Sequence, residues 1–419
     1  MGAGTFRIHN FGCRANQADG SAIARDLAAA GWTPAEQAEL VILNTCTVTA
    51  AADAEARYAI RRIRREQPQA RIWVTGCYAQ RAPEEVRALG GVERVVGHRE
   101  KLGIAAIAGA VAPAAPPTAQ LPGRTRPQVK VQDGCGNACS FCVIPSVRGG
   151  LRSRPEAEVA AEVAHWAANG AQEVVLTGIH LGQWGRDLPG RPALDGLLRA
   201  ILAASGIPRL RLSSIEPMNW TGALISLLAC EPRIAPHAHV PLQSGSDTVL
   251  RRMRRRYRPD HYAQRVMEIR RRLPFAAIGA DVMAGFPGET EAEFESSLAF
   301  IAGLPLTYLH VFTYSPRPGT EAARRTGEPG WEVVPAAVAA RRAGRLRALA
   351  ETLRARFARG FWGRELDLLT LGETRGGFTR ALSANFLDVW LEGEWPPNRR
   401  LSARARPGAG RRLEAASES

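Results

Sequence analysis

From residue 5 to about residue 110, short β-type apolar runs alternate with Ala-rich stretches whose apolar positions recur every three to four residues. TFRIHNF, LVILN, RIWVTG and ERVVG predict four strands; residues 17–30, 50–66, 83–89 and a last short segment predict the helices between them. Strand and helix alternating at this spacing imply a parallel sheet with right-handed crossovers, so residues 1–111 read as an α/β domain. Residues 112–126, APAAPPTAQLPGRTR, carry four prolines and no periodicity, which marks residues 112–127 as a linker.

A second alternating series follows, with strands expected at 128–131, 173–177, 209–213, 237–240, 277–283 and 307–312 and helices such as 156–168, 194–204 and 291–302. Six βα units fit a partial (β/α)6 barrel better than an open sheet. A long Arg-rich helix over 335–359 closes this unit, placing it at 128–360. ELDLLTL, FTRALS, FLDVWLEG and RLSARARP then predict a small all-β module over 361–407, with 408–419 read as a disordered polar tail.

Composition narrows the class. The chain has 419 residues, 45% of them hydrophobic and 23% charged, a globular balance. No run of eighteen apolar residues occurs and the first ten residues lack the parts of a signal peptide, so a cytoplasmic protein without membrane contact is the expectation. Lys and Arg number 55 against 40 Asp and Glu, a net +15 that favours a polyanionic partner, nucleic acid first. Nearly every cation is Arg, Lys101 and Lys130 being the two lysines, so compositional bias supplies part of that surplus.

Seven cysteines are too few for a disulfide scaffold in a chain of this length. Cys13, Cys46 and Cys77 each follow a predicted strand, in NFGC, LNTC and VTGC, and in a parallel sheet the carboxyl ends of the strands share one edge. Three thiols about thirty residues apart would therefore meet. They could be small buried hydrophobes, or a soft-metal site one ligand short of structural zinc; a cubane iron-sulfur cluster on three cysteines keeps one iron open. Cys135, Cys139 and Cys142 form CGNACSFC, again three thiols without a fourth. One iron there would be free for a molecule offering an amine and a carboxylate, while a zinc knuckle would need a His or a fourth Cys within twenty residues, and neither is present.

CxxxCxxC with Phe141 before the last Cys resembles the radical S-adenosylmethionine superfamily. NFGCRANQ, ILNTCTVT, VTGCYAQ and VQDGCGNACSFCVIPSVRG together resemble its methylthiotransferase family, over residues 5–407. The resemblance implies an N-terminal three-cysteine domain, a radical barrel and a C-terminal RNA-binding TRAM barrel. It also implies two 4Fe-4S clusters, held by Cys13, Cys46 and Cys77 and by Cys135, Cys139 and Cys142, with S-adenosylmethionine as cofactor. GCRANQ, QDGC and VLTGIHLGQWG resemble the branch that methylthiolates carbon 2 of N6-threonylcarbamoyladenosine at tRNA position 37. Sister branches act on isopentenyladenosine or on a ribosomal-protein aspartate. Arg14 and Trp184 stand where that branch usually has Lys and Tyr.

Carbon 2 of an adenine carries no acidic proton, so acid–base groups alone would not suffice and a cofactor must bring the chemistry. The resemblance assigns Phe141, Gly178, Ser213, Glu216, Gln243, Arg255 and Phe286 to the cofactor pocket, with Arg255 meeting the cofactor carboxylate. Each glycine could equally be turn chemistry. His180 and His239 read as structural histidines and Cys230 as a buried bystander. The runs from Arg251 and from Arg341 could line a phosphate surface, although such runs are commonly solvated helix faces. Partners implied are the tRNA anticodon stem-loop and a reductant such as flavodoxin or ferredoxin, acting on a monomer. Phe386 stands where the TRAM pattern usually has Tyr.

Overall fold

A computed structural model describes residues 4–109, 125–408 and 413–416. Most of the linker read at 112–127 lies outside these described residues. Its end does not: Pro127 O accepts from Val175 N at 2.9 Å, and Arg126 reaches Glu173, so the chain is already part of the barrel by residue 126.

Strands β1 (Thr5–Asn10), β2 (Thr33–Pro34), β3 (Leu40–Thr45), β4 (Arg71–Gly76) and β5 (Val92–Val95) form one parallel sheet in the order β2-β1-β3-β4-β5. The central strands β3 and β4 are apolar nearly throughout because helices cover both faces. Helix α1 (Arg14–Ala29) packs on one face and α2 (Ala50–Glu66) on the other. Thr49 caps α2 by accepting from Ala52 N, with Asp53 in the first turn and Arg64 and Arg65 in the last, matching the helix dipole.

The second unit contains the six parallel strands expected: β6 (Gln128–Asp133), β8 (Val174–Gly178), β9 (Leu210–Leu212), β10 (His237–His239), β11 (Ala277–Ala284) and β12 (Tyr308–Thr313). A two-residue strand β7 (Arg152–Ser153), unforeseen, pairs antiparallel with β6. The strands form two sheets, β7-β6-β8-β9 and β10-β11-β12, joined by a bridge between Leu210 and Ile234. β6 and β12 do not pair, so the barrel is open along one side. Alternation along each strand sorts the faces. Val129, Val131, Val174, Leu176, Leu210 and Leu212 join the core with the surrounding helices, leaving Lys130, Gln132, Thr177, Arg211, His237 and His239 on the other side. The lumen is therefore polar, unlike the apolar layers that fill a closed barrel.

The N-terminal domain docks across the open side. Gln128 donates to Gln17 at 3.0 Å, Arg25 pairs with Glu162 at 2.9 Å, and buried Arg317 pairs with Asp53. Strands β13 (Glu365–Arg375), β14 (Phe378–Ser383), β15 (Asp388–Glu392), β16 (Arg400–Pro407) and β17 (Leu413–Ala416) close a separate barrel in the order β13-β14-β15-β17-β16. Strand β17 corrects the disordered tail read at 408–419 and the module boundary at 407. Leu413 and Ala415 point into the small core, and their backbone pairs with both β15 and β16. Four residues long, and with alanine at two of them, this strand carries too little pattern to be read from sequence.

Candidate cluster sites and barrel lumen

Cys13 sits at the N-terminus of α1, Cys46 one residue past β3, and Cys77 at the start of the short helix α3 (Cys77–Arg81) directly after β4. Backbone geometry makes the convergence possible. Gly12 has φ +81°, and a Cβ there would overlap the Cys46 side chain; Gly76 has φ +93°, and a Cβ there would overlap the Thr45 backbone. The three thiols share one electrostatic neighbourhood: Cys46 interacts with Cys13 and Cys77, and Cys77 with Cys13. Burial pushes the Cys46 thiol up to about 11, so in the metal-free chain it is a neutral thiol that must lose its proton to become a ligand. Cys13 is exposed, while Cys46 and Cys77 are buried.

Cys135, Cys139 and Cys142 lie in the loop after β6. Cys135 N donates to Gly149 O at 3.0 Å and Cys142 N to Cys139 O at 3.1 Å, while Ser140 pins the loop's centre to Arg252 O at 2.7 Å and Met253 O at 3.1 Å. Burial raises the Cys142 thiol to about 12. In both trios the donors are three sulfurs, and among the described residues no fourth thiol or imidazole joins them. That donor set suits a cubane cluster with one open iron better than structural zinc.

One side chain ties the N-terminal trio to the segment that follows Cys142. Arg148, fully buried in the helix Ile144–Arg148 that follows Cys142, donates from Nε to Cys77 Sγ at 3.3 Å. Its other nitrogens reach Asp133 Oδ1 at 2.9 Å, Asn16 Oδ1 at 3.2 Å and Asp19 Oδ2 at 3.4 Å. Lys101 and Lys130 both pair with Asp19, and His98 lies 3.3 Å from Asp133. Burial pushes His98 down to about 4, so it is neutral here; the cations and His98 outweigh burial at Asp133 and hold its carboxyl far below the usual range. Cys77, Val143 and Val147 pack as one apolar group beside this network.

The residues assigned to the cofactor pocket fall into two groups. Phe141 and Phe286 meet edge to face with ring centroids 6.4 Å apart, and Phe286 also packs on Tyr314 and Trp331. Arg255, buried, donates to Cys139 Sγ at 3.3 Å and to Tyr257 Oη at 3.0 Å, and pairs with Glu216. Each terminal nitrogen keeps one N–H for a ligand. Gly178 ends β8 against Gln132, whose Oε1 accepts from His180 N at 2.7 Å; Ser213 is buried with its hydroxyl unpartnered. Gln243 has φ +71° and bridges to Val282. A non-glycine residue held in this region is strained backbone of the kind that recurs at binding sites.

Lower in the lumen, His239 and His310 lie 3.0 and 3.2 Å from Asp281, but His239 Nε2 makes no hydrogen bond there, and the three side chains are close enough together to hold a metal ion. Beneath them, Glu173 is enclosed by Arg211 at 2.7 Å, Arg209 at 3.2 Å and Arg126 at 3.5 Å. Burial alone would raise Glu173; the arginines outweigh it and bring its carboxyl from 4.5 to about 2. A carboxylate depressed in the fold stabilises above its unfolded pKa, and that contribution fades as pH falls from about 4.5 toward 2. We expect Glu173→Gln to cost about 3–5 kcal/mol at neutral pH, by leaving buried guanidinium groups uncompensated. Urea unfolding from pH 7 to pH 3 should show the wild type losing stability more steeply than the variant; parallel curves would refute this assignment.

None of this charge network was legible in the sequence; its one trace is arginine between leucines in β9, a cation inside a strand with a buried face. Phe386, which stands where the TRAM pattern usually has Tyr, turns inward, its ring 4.4 Å from His237 and 5.4 Å from Tyr308. Most of the run from Arg251 is engaged, Arg251, Arg252, Arg254, Arg255 and Arg258 each pairing with a carboxylate, while Arg256 is exposed. Trp184 is buried and donates to Arg154 O at 2.9 Å. Cys230 is exposed rather than buried, at the end of the helix Gly222–Cys230.

Comparison with known proteins adds a second line. Residues 5–97 match the family described as UPF0004, an uncharacterised protein family, and residues 129–301 match the radical SAM superfamily. The threonylcarbamoyladenosine tRNA methylthiotransferase MtaB of Bacillus subtilis is 39% identical over 340 residues, covering 76% of this chain and 75% of that protein. Its Aquifex aeolicus namesake is 34% identical, covering 92% and 96%. A tRNA-2-methylthio-N(6)-dimethylallyladenosine synthase from Anaeromyxobacter dehalogenans is 36% identical, covering 87% and 83%. Among solved structures, the radical S-adenosylmethionine methyltransferase TsrM of Kitasatospora setae superposes with a TM-score of 0.55 at 15% identity, over 87% of this chain and 96% of that one, a likeness of fold. With relatives matched at this identity across the three-cysteine domain and the barrel, the chain belongs to the methylthiotransferase family of radical S-adenosylmethionine enzymes, in its MtaB-like branch.

Proposed function

We propose that this protein methylthiolates carbon 2 of N6-threonylcarbamoyladenosine at position 37 of tRNA, giving the 2-methylthio nucleoside. The observation that carries the reading is the packing of Cys77, from the first three-cysteine set, against Val143 and Val147 of the segment that follows Cys142, with Arg148 of that segment donating to its sulfur. Cys135, Cys139 and Cys142 would hold one 4Fe-4S cluster and Cys13, Cys46 and Cys77 the other; when bound, these and S-adenosylmethionine supply the radical, the sulfur and the methyl group. Phe141, Gly178, Ser213, Glu216, Gln243, Arg255 and Phe286 would form the cofactor's surroundings, Arg255 offering its two free N–H groups to a carboxylate.

The small C-terminal barrel would bind the anticodon stem-loop, as small β-barrels bind RNA on strand faces and loops. Electrons would come from a low-potential carrier such as flavodoxin or ferredoxin, in the cytoplasm, to a monomeric enzyme. Among the described residues no helix is long and apolar enough to cross a membrane.

The substrate branch follows the MtaB names borne by relatives at 34–39% identity. Its test is mass spectrometry of nucleosides after reduced, iron-loaded protein acts on tRNA carrying threonylcarbamoyladenosine. Gain of a methylthio group on that nucleoside is expected. Conversion of the isopentenyl nucleoside or of a ribosomal-protein aspartate instead would reassign the substrate.

A further inference from the structure

The barrel floor holds more cations than its carboxylates neutralise. Arg14, Arg126, Arg209 and Arg211 gather around Glu173; Arg209 also pairs with Asp367, which is already shared with Arg400. Asp281 is committed to His239 and His310. Donors here lack acceptors: Arg209 Nε and Arg211 Nη1 are buried without a partner, and the half-buried Arg14 makes no hydrogen bond or ion pair to any described residue. Cations left unmatched beside a cavity call for an anion. A cavity of about 790 Å³ between the radical barrel and the small β-barrel is lined by Arg126, Tyr308, His310 and Phe386, and Arg211 lies behind that wall, over the Phe386 ring at 5.3 Å.

Arg14 is the residue after Cys13, and its charged neighbours are Tyr308, Arg211, Glu173 and Asp281 inside the lumen. It thus runs from the N-terminal cysteine trio toward the barrel floor. An adenine whose carbon 2 faces the cysteine sets would direct a substituent on N6, carried by the carbon across N1, into the lumen. Threonylcarbamoyl ends in a carboxylate; dimethylallyl has no charge. We infer that Arg14, with Arg126 and Arg211, receives the carboxylate of the N6 substituent and sets the enzyme's preference for threonylcarbamoyladenosine. This rests on the proposed function and adds the residues that select the substrate. Arg in place of the branch's usual Lys keeps the charge and adds a planar fork suited to a carboxylate.

The test compares two tRNA substrates, one with native threonylcarbamoyladenosine and one whose threonyl carboxylate has been converted to the primary amide. Wild-type protein should process the amide at least about tenfold more slowly in kcat/KM. Arg14→Gln should lose a similar factor on the native substrate and little more on the amide, whereas Arg14→Lys should keep most of the discrimination. Iron content is measured first; if Arg14→Gln loads less iron, Arg126→Gln, whose ion pair is with Glu173 and not with a cysteine, decides the same comparison. Equal rates on the two substrates with wild type would assign the cations to backbone phosphate and overturn the inference. So would a loaded variant that still discriminates. Failure of wild type to methylthiolate even the native tRNA would overturn the proposed function itself, a different and recognisable pattern.

Discussion

Replacing Cys135, Cys139 or Cys142 by Ala is expected to reduce both 5′-deoxyadenosine formation and methylthio product to background, whereas replacing Cys13, Cys46 or Cys77 should remove the product alone. The two trios sit on different structural supports: one loop after β6 pinned by Ser140, and three strand ends of the N-terminal sheet. Loss of one thiol from either set should therefore empty that set and spare the other, lowering iron from about eight to about four per chain. Chromatographic assay of deoxyadenosine beside nucleoside mass spectrometry separates the outcomes. If alanine at Cys46 suppressed deoxyadenosine as fully as alanine at Cys139, the two sets would not have separate roles.

Arg148→Met should be the most damaging change outside the cysteines. It leaves Asp19 and Asp133 buried, with their remaining cations Lys101 and Lys130, and strips Cys77 of its donor. Breaking a buried ion pair in this way costs about 3–5 kcal/mol, which chemical unfolding would register. A positive charge and a hydrogen bond at a cluster sulfur favour the reduced state, so the midpoint potential of the N-terminal cluster, read by EPR titration, should fall. Arg148→Lys should restore part of the stability and less of the potential, since one ammonium cannot span Cys77, Asp133 and Asn16. An unchanged potential in a folded Arg148→Met protein would reduce Arg148 to a structural tie.

How far the sequence revealed this molecule depended on how local each signal was. Strand–helix alternation is a local pattern, and it located the parallel domain, the six barrel strands and helices such as Glu156–Ala168 and Leu194–Ala204. The CxxxCxxC spacing is local too. Convergence of Cys13, Cys46 and Cys77 was accessible only through topology, because strand ends in a parallel sheet share an edge. Arg148, Asp19, Lys101 and Asp133 come from four separate segments, and their burial is decided by how two domains meet. A sequence read one segment at a time reports them as ordinary surface charges. Phe386 was out of reach for the same reason: only the docking of the small barrel beneath His237 and Tyr308 shows that its ring faces inward. Strand β17 was lost to shortness.

The account stands on two separate iron sites in one chain. Anaerobic reconstitution followed by iron and sulfide analysis with Mössbauer spectroscopy measures this directly. It should find about eight irons and eight sulfides per chain in two 4Fe-4S environments, falling to a single environment in a Cys13→Ala, Cys46→Ala, Cys77→Ala triple variant. Zinc in place of iron, or one cluster in the wild type that survives this triple substitution unchanged, would contradict it.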